Sequence, residues 1–419
     1  MNITHNRASQ LPLLLLICGI GVVSLAQADP AQPGCEAAQY GMSAGASDNT
    51  TAFKSALTAC AGKSIHIPQG TYTFSPRGFD NGLYIPEKTN IVGDGSEGPG
   101  ATVLRIADTG TFASFLWVRD TSHISVQDIR FEGSTSDSGC ARGLAYGHAI
   151  TVYSSAGAPA AVENVRITGN VFHNFNGQSW ITMTAADRSP GIGLHGEIAV
   201  SKNKFLSDAG LRGGCAGSGG IGYPVFMVWL HGSDDSSQGM VENVSIASNT
   251  FQADYVKGAV IVWSDTARIS IQDNTIMNAG RQLPPAPGTE LGRYAIAVYN
   301  SAHEKPGKWP DTIQIVGNTV VNPVSCGVYV AGARNLNISR NRISGQTDRF
   351  DGTLPKAAIA LNHAFNVRDV DGNELANNYV GITVVAGDVA IKNNRIDVPQ
   401  GGIRTKIFRD EHTPPQIER

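Results

Sequence analysis

The chain has 419 residues, of which 41% are hydrophobic and only 16% charged, well below the quarter usual for a globular domain. Its 32 basic and 35 acidic residues leave a net charge of -3, which gives no electrostatic footprint for nucleic acid or anionic lipid. The apolar content excludes a disordered chain. Length alone suggests two or three domains, whereas 48 glycines and recurrent asparagines fit one long repeat array.

At the start of the chain, Arg7 precedes an apolar run from Leu11 to Leu25, followed by Ala26-Gln27-Ala28. This order reads as a secretory signal peptide cleaved before Asp29. The run is shorter than the roughly 18–20 residues of a membrane span, so stable membrane insertion is not expected. Export permits disulfides. Cys18 would leave with the signal, and Cys35 and Cys60 bracket a predicted helix and form the first expected bridge. Cys140 and Cys215, both in Gly-rich stretches, form the weaker second pair, and Cys326 reads as a buried thiol in an apolar strand. Neither a C-x-x-C pair nor an H-E-x-x-H motif occurs, so no zinc site is expected.

The stretch Asp48-Asn49-Thr50-Thr51-Ala52-Phe53 to Leu57 predicts a helix with Asp48 as N-cap and Phe53, Ala56 and Leu57 as its apolar stripe. Ile65 to Tyr72 reads as the strand that follows. Beyond it, an apolar residue, two small or polar residues and Asn recur at Asn170, Asn203, Asn249, Asn274, Asn318, Asn341, Asn373 and Asn394. The steps between them are 33, 46, 25, 44, 23, 32 and 21 residues, a base period of 21–25 with insertions. Short β-branched strands precede each motif, among them Ala149–Tyr153, Phe226–Trp229, Val260–Trp263 and Ile296–Tyr299. Such spacing predicts the coils of a parallel solenoid, with the asparagines forming a ladder at one corner because Asn tolerates the left-handed region and bonds locally. Two-residue hairpin turns of the Asn-Gly type are nearly absent from the repeats, which argues against a sandwich.

The D-N-T-x-A-F-x-x-A-L helix (Asp48–Leu57), the I-P-x-G-x-Y strand (Ile67–Tyr72) and the Asn repeats resemble the pectate-lyase-like superfamily of right-handed parallel β-helix proteins. That group includes polygalacturonase-type hydrolases, polysaccharide lyases, uronan epimerases and phage tailspikes. The resemblance implies an all-β, single-stranded right-handed parallel β-helix of about ten coils with a short N-terminal capping helix. It implies the reaction only weakly, because one superfold hosts many chemistries. The expected division is 1–28 signal peptide, 29–110 cap and first coils, 111–408 the continuous remainder of the solenoid, and 409–419 a loosely packed tail.

Aligning inward residues Val152, Met183, Val228, Val262 and Val298 puts Tyr153, Thr184, Trp229, Trp263 and Tyr299 in one outward column. Exposed aromatic rings suit the C–H faces of sugars, so Tyr153, Trp229, Trp263 and Tyr299 are candidate substrate-binding residues. If the register slips or long loops cover them, the rings are structural instead. Two positions further lie Ser155, Ala186, His231, Asp265 and Ser301, with Asp187-Arg188 and Asp234-Asp235 just beyond. Asp187, Asp234, Asp235 and Asp265 are therefore candidate catalytic carboxylates on consecutive coils, with His231 as orienting group or base. Adjacent coils separate such groups by ~5 Å and alternate coils by ~10 Å, which correspond to retaining and inverting glycosidase spacings. Taken singly, each Asp is as well explained as a turn residue.

Arg188, Lys257, Arg404 and Lys406 are candidates for binding a sugar carboxylate. Gly402-Ile403-Arg404-Thr405-Lys406 resembles the R-x-K motif of polygalacturonase-type hydrolases, and Ser233-Asp234-Asp235 resembles their paired Asp. No G-H-G follows that pair, no N-T-D precedes it, and Gly147-His148 comes in the wrong chain order. The central face thus reads as aromatic and acidic. This favours a secreted or periplasmic enzyme that hydrolyses a neutral or lightly charged polysaccharide without a cofactor. A lyase or C5-epimerase using a His, Lys or Arg base, with calcium bridging carboxylates to a uronate, is the first alternative. A non-catalytic carbohydrate-binding surface protein is the second.

Overall fold

Eight buried or half-buried asparagines organise the molecule. In the computed structural model, the backbone N–H and Nδ2 of Asn170 donate to Oδ1 of Asn203 at 2.9 and 3.2 Å. The same double bond repeats from Asn203 to Asn249, Asn274, Asn318, Asn341, Asn373 and Asn394. Each Nδ2 also reaches back to a carbonyl of the preceding coil, as Asn318 does to Ile271 at 2.9 Å. The predicted ladder therefore exists at all eight positions, but one detail differs. The left-handed residue is not the ladder Asn; it is the residue before it, at Gly169, Lys202, Ser248, Asp273, Gly317, Arg340, Gly372 and Asn393. That residue turns the chain, and the Asn that follows aims its side chain along the stack. At Gly317 a Cβ would meet the Asp273 carboxylate below, so a larger residue there would displace that side chain.

The structure describes residues 34–75, 82–107, 113–133, 147–175, 177–186, 193–208, 226–232, 240–283, 293–300, 309–346, 356–408 and 416–418. Their strands stack in parallel on three faces. Face A runs from Leu83–Tyr84 and Ser114–Arg119 through His148–Ser154, Ser179–Ala185, Phe226–His231, Gly258–Trp263 and Tyr294–Tyr299 to Ile403–Phe408. Face B follows in each coil, for example Val165–Thr168, Ile198–Ser201 and Val241–Ala247. The Asn corner then leads to face C, an 11-stranded sheet of short strands from Gly70–Phe74 to Arg395–Asp397. In three late coils faces A and B merge into strands of 14, 13 and 13 residues that bend around the corner.

The interior is stacked. Phe131, Phe172, Phe205 and Phe251 on successive coils of face C have centroids 5.1, 4.9 and 4.6 Å apart and lie nearly parallel. The same inward position continues as Ile276, Val320, Ile343 and Leu375. At the N-terminal end the helix Thr50–Ala59 buries Phe53, Ala56 and Leu57, and Phe53 meets Phe74 edge to face at 5.7 Å. This is the expected cap over the first coil. Its N-cap position is Asn49 rather than Asp48. Asp48 still acts one residue earlier, accepting from the Thr50 N–H and Oγ1 at 2.9 and 2.5 Å and from the Ser75 N–H at 3.2 Å. Burial works against its charge, and these hydrogen bonds outweigh it to hold the carboxyl below its usual range. The Cys35–Cys60 bridge is formed, with Cα atoms 6.1 Å apart, and Cys326 is a buried free thiol. Cys140 and Cys215, like the predicted signal segment, lie outside the described residues.

Of the expected tail, Gln416–Glu418 is described, and it pairs antiparallel with Ile403–Phe408, Thr405 facing Glu418. This short return strand bonds the edge of Ile403–Phe408.

Candidate functional site on the outer surface of face A

Side chains on face A alternate between the core and the outside. Pairing fixes the outward columns. One holds Trp117, Thr151, Thr182, Trp229 and Ile261. The next, two residues on, holds Arg119, Tyr153, Thr184, His231, Trp263 and Tyr299. The sequence alignment was therefore two residues out in one strand. Leu230, not Val228, is level with Met183 and Val262. So Trp229 leaves the column of Tyr153, Trp263 and Tyr299, and His231 leaves that of Asp265 to enter it. The physical reason is that Phe226-Met227-Val228-Trp229-Leu230 is apolar throughout. A slip of one residue would turn every side chain over, but a slip of two preserves the alternation and leaves no mark in the sequence.

The shift tightens the cluster. Trp229 packs on Trp263 at 5.6 Å and on His231 at 5.6 Å, His231 meets Trp263 at 6.2 Å, and Trp263 meets Tyr299 edge to face at 4.7 Å. Not all of it is a platform. Trp229 and Tyr299 are only 7% and 6% exposed; they belong to a second apolar cluster outside the barrel, with Phe226, Ile261, Tyr294, Cys326 and Tyr329. Within the four rings, Trp263 and His231 are the half-exposed members. The indole N–H of Trp229 is buried and has no hydrogen-bond partner.

Of the candidate carboxylates, Asp265 lies among the described residues, and Asp187, Asp234, Asp235 and the cation Arg188 lie outside them. The strands these residues follow, Ser179–Ala185, Phe226–His231 and Gly258–Trp263, are consecutive in the stack. Asp265 is 5% exposed, and its carbonyl accepts the Val241 N–H at 3.3 Å. Its φ of 57° is no sign of a special site, because non-glycine residues at many coil corners share it. Gly232 approaches this backbone so closely that a Cβ would clash with the Asp265 carbonyl.

The predicted cations scatter. Lys257, just before Gly258 at the entry of face A, is 6% exposed. Burial first, and then the neighbouring Arg293 charge, lower its pKa. Arg404 and Lys406 sit on the last coil, five steps past Trp263 through Tyr299, Ala331, Asn362, Val385 and Phe408. At ~4.8 Å per step that is ~24 Å, so neither joins the central cluster. Arg404 instead lines a cavity of about 200 Å³ with Ile391, Ile396 and Thr405 at the C-terminal end.

Sequence reading missed a second aromatic group. Tyr84, 43% exposed, meets Trp117 edge to face at 5.7 Å, and Trp117 meets Tyr153 at 5.9 Å. The period-two pair Trp117 and Arg119 in Ser114–Arg119 was the available signal. Also unforeseen is a polar notch between the two groups, where His148 Nδ1 lies 3.2 Å from Thr182 Oγ1 and 2.6 Å from the Ser179 carbonyl. A third is His195, bonded to Glu242 at 2.6 Å, with Arg268 on the other carboxylate oxygen. Among the described residues there is no group of three or more His, Cys, Asp or Glu fit to hold a metal, and no helix is long and apolar enough to cross a membrane.

No curated protein sequence matches the chain. Among solved structures, the surface adhesin PfbA of Streptococcus pneumoniae is similar at 13% identity and a TM-score of 0.58, over 92% of this chain and 94% of that one. The A-module of the mannuronan C-5 epimerase AlgE6 of Azotobacter vinelandii is similar at 14% identity and 0.53, over 91% and 100%. The endo-xylogalacturonan hydrolase of Aspergillus tubingensis is similar at 13% and 0.55, over 90% and 96%. At these identities the likeness speaks for the fold alone. The family model described as "Right handed beta helix region" matches residues 114–343 and 258–406, together more than half of the chain. With the three-faced parallel stack and its Asn ladder, this match shows that the chain belongs to the right-handed parallel β-helix family.

Proposed function

We propose that the protein is an exported carbohydrate-active β-helix protein that holds a polysaccharide against the outer surface of face A and hydrolyses a glycosidic bond there. The observation that carries this reading is the ring cluster of Trp229, His231, Trp263 and Tyr299 on three consecutive coils, beside the buried Asp265. Half-exposed Trp263 offers an apolar surface to a sugar ring. Asp187, Asp234, Asp235 and Asp265 follow consecutive strands and are the candidates for acid and base. A pair of carboxylates on neighbouring coils can divide the work of general acid and general base or nucleophile. His231, whose ring meets Trp263 in a T-shaped contact, would orient a substrate hydroxyl or a carboxylate. Export accords with the Cys35–Cys60 bridge, a bond suited to an oxidising compartment.

Lys257 supports a second reading. A buried lysine whose pKa is lowered is the kind of base that abstracts a proton next to a uronate carboxylate, so elimination or epimerisation is the alternative chemistry. One panel separates the readings. The protein is incubated with polyuronates and neutral glycans, with and without chelator, and reducing ends and unsaturated uronide absorbance are followed. Hydrolysis predicts reducing ends without absorbance, lost in Asp265→Asn or Asp235→Asn; Asn tolerates a left-handed backbone, so the Asp265 variant should keep the fold. Absorbance abolished by Lys257→Met would replace hydrolysis with elimination. Binding with neither signal across the panel would leave epimerisation or a carbohydrate-binding surface protein, which the uronate composition of the recovered glycan distinguishes.

A further inference from the structure

The first coils of face A carry a patch that the central site does not use. Tyr84, Trp117 and Tyr153 stand on three consecutive coils, Tyr84 pairing with Trp117 and Trp117 with Thr151, two residues before Tyr153. The three coils span ~10 Å. Over them lies Arg119, in the same outward column as Tyr153. Its guanidinium carbon is 5.9 Å from the Trp117 ring and 5.7 Å from the Tyr153 ring, within cation–π range of both. Two rings thus hold one side chain that would otherwise sample many rotamers, and its side chain is still 42% exposed.

Charge and hydrogen bonding say what this patch fits. The carboxylate nearest Arg119 is Asp120, 3.7 Å from its Nε. Asp120 is already engaged, accepting from the Ser155 N–H at 2.7 Å and Ser155 Oγ at 2.5 Å. A guanidinium has five N–H donors in a planar fork matched to a carboxylate, so the single contact with Asp120 leaves Arg119 donors for a further acceptor. Two buried polar atoms in one outward column have no partner: Trp117 Nε1, packed against Gly82, and, on the next coil, Thr151 Oγ1. Thr151 is 4% exposed. An unsatisfied buried polar group is costly, and two of them in adjacent coils beside the exposed Tyr84 and the ring-held Arg119 favour a polyhydroxylated ligand that would supply their missing partners.

We propose that Tyr84, Trp117, Thr151, Tyr153 and Arg119 form a binding subsite for an anionic sugar residue, a uronate whose carboxylate pairs with Arg119 while its ring lies on Tyr84. The inference rests on the reading of face A as a glycan-binding surface but not on hydrolysis. It makes the glycan acidic rather than neutral, and it aligns the chain along the solenoid from these coils toward Trp263.

The test is calorimetric binding of two hexasaccharides, one of galacturonic acid and one of glucose, to the full chain. Wild type should bind the acidic hexamer at least about tenfold more tightly, with a preference that falls as salt rises. Arg119→Gln should remove that preference, and Tyr84→Ala, at an exposed position, should weaken the acidic hexamer several-fold without changing the melting temperature. Equal binding of the two hexamers, binding of neither, or an Arg119→Gln variant that keeps the preference would overturn the proposal. Trp263→Ala in the same series separates the two claims. If only Trp263→Ala weakens binding, the central site stands and this subsite falls; if only Arg119→Gln and Tyr84→Ala do, the reverse holds.

Discussion

The Asn corner between faces B and C and the outer surface of face A are built from the same coils by opposite rules. At the corner each buried Asn is paired above and below, Asn318 giving to Asn341 and to Ile271 and receiving from Asn274. On face A the buried indole of Trp229 and the hydroxyl of Thr151 are left without partners, and rings stack where an ordinary solvated strand would carry Thr or Lys. A fully satisfied network specifies a fold. An unsatisfied buried polar group calls for a partner, whether water, ion or ligand. Substitutions at the corner should therefore cost stability, and substitutions on face A should cost binding.

The largest expected effect is in the stack beside the corner. Phe205 lies between Phe172 and Phe251 at 4.9 and 4.6 Å and is fully buried, so Phe205→Ala should destabilise by about 4 kcal/mol in denaturant titration. Asn318→Ala comes next. It strips partners from Asn274, Asn341 and the Ile271 carbonyl, and at about 1–3 kcal/mol for a stranded buried group it should cost about 3 kcal/mol. Asn394→Ala removes the end of the same ladder, where the side chain is half-exposed, and should cost about 1 kcal/mol. Equal losses at the two positions would contradict a ladder whose strength comes from burial.

The smallest effect is a pH dependence at the outer surface of face B. His66 bonds Asp94 and Glu36 at 2.7 and 2.8 Å. The Asp94 hydrogen bond first, and then that of Glu36, raise its pKa above the usual 6.5. A raised histidine stabilises fully below 6.5 and loses that contribution as pH rises through the higher folded value. The side chain is 35% exposed, so the gain is at most about 1 kcal/mol. His66→Gln should flatten the stability profile above pH 6.5, as followed by denaturant midpoints; an unchanged slope would remove His66 as the cause.

The contrast also explains what could be read from the sequence. The ladder was legible because one residue type recurs at one position, and the corner has a single physical job. The capping helix was legible from Phe53, Ala56 and Leu57, although its cap lies at Asn49 because Asp48 reaches both Thr50 and Ser75. Face A was legible only in part. The strand bearing Trp229 has no polar residue before His231 to pin its register, and burial of Trp229 and Tyr299 depends on what covers them, which strand periodicity does not encode. Trp117 and Arg119 escaped because an outward column has meaning only once neighbouring coils are aligned. Arg404 and Lys406 match a motif in spacing but sit on the last coil, and distance along a solenoid is counted in coils rather than in motif order.

Hydroxyl-radical footprinting of the full chain, with and without a binding polysaccharide from the panel, tests the central claim most directly. The account predicts that oxidation of Trp263, and of Tyr84 and Tyr153, falls when an acidic glycan is added, while Phe365, exposed at the corner between faces A and B and stacked on Trp309, oxidises as before. Protection of Phe365 with no change at Trp263 would contradict it.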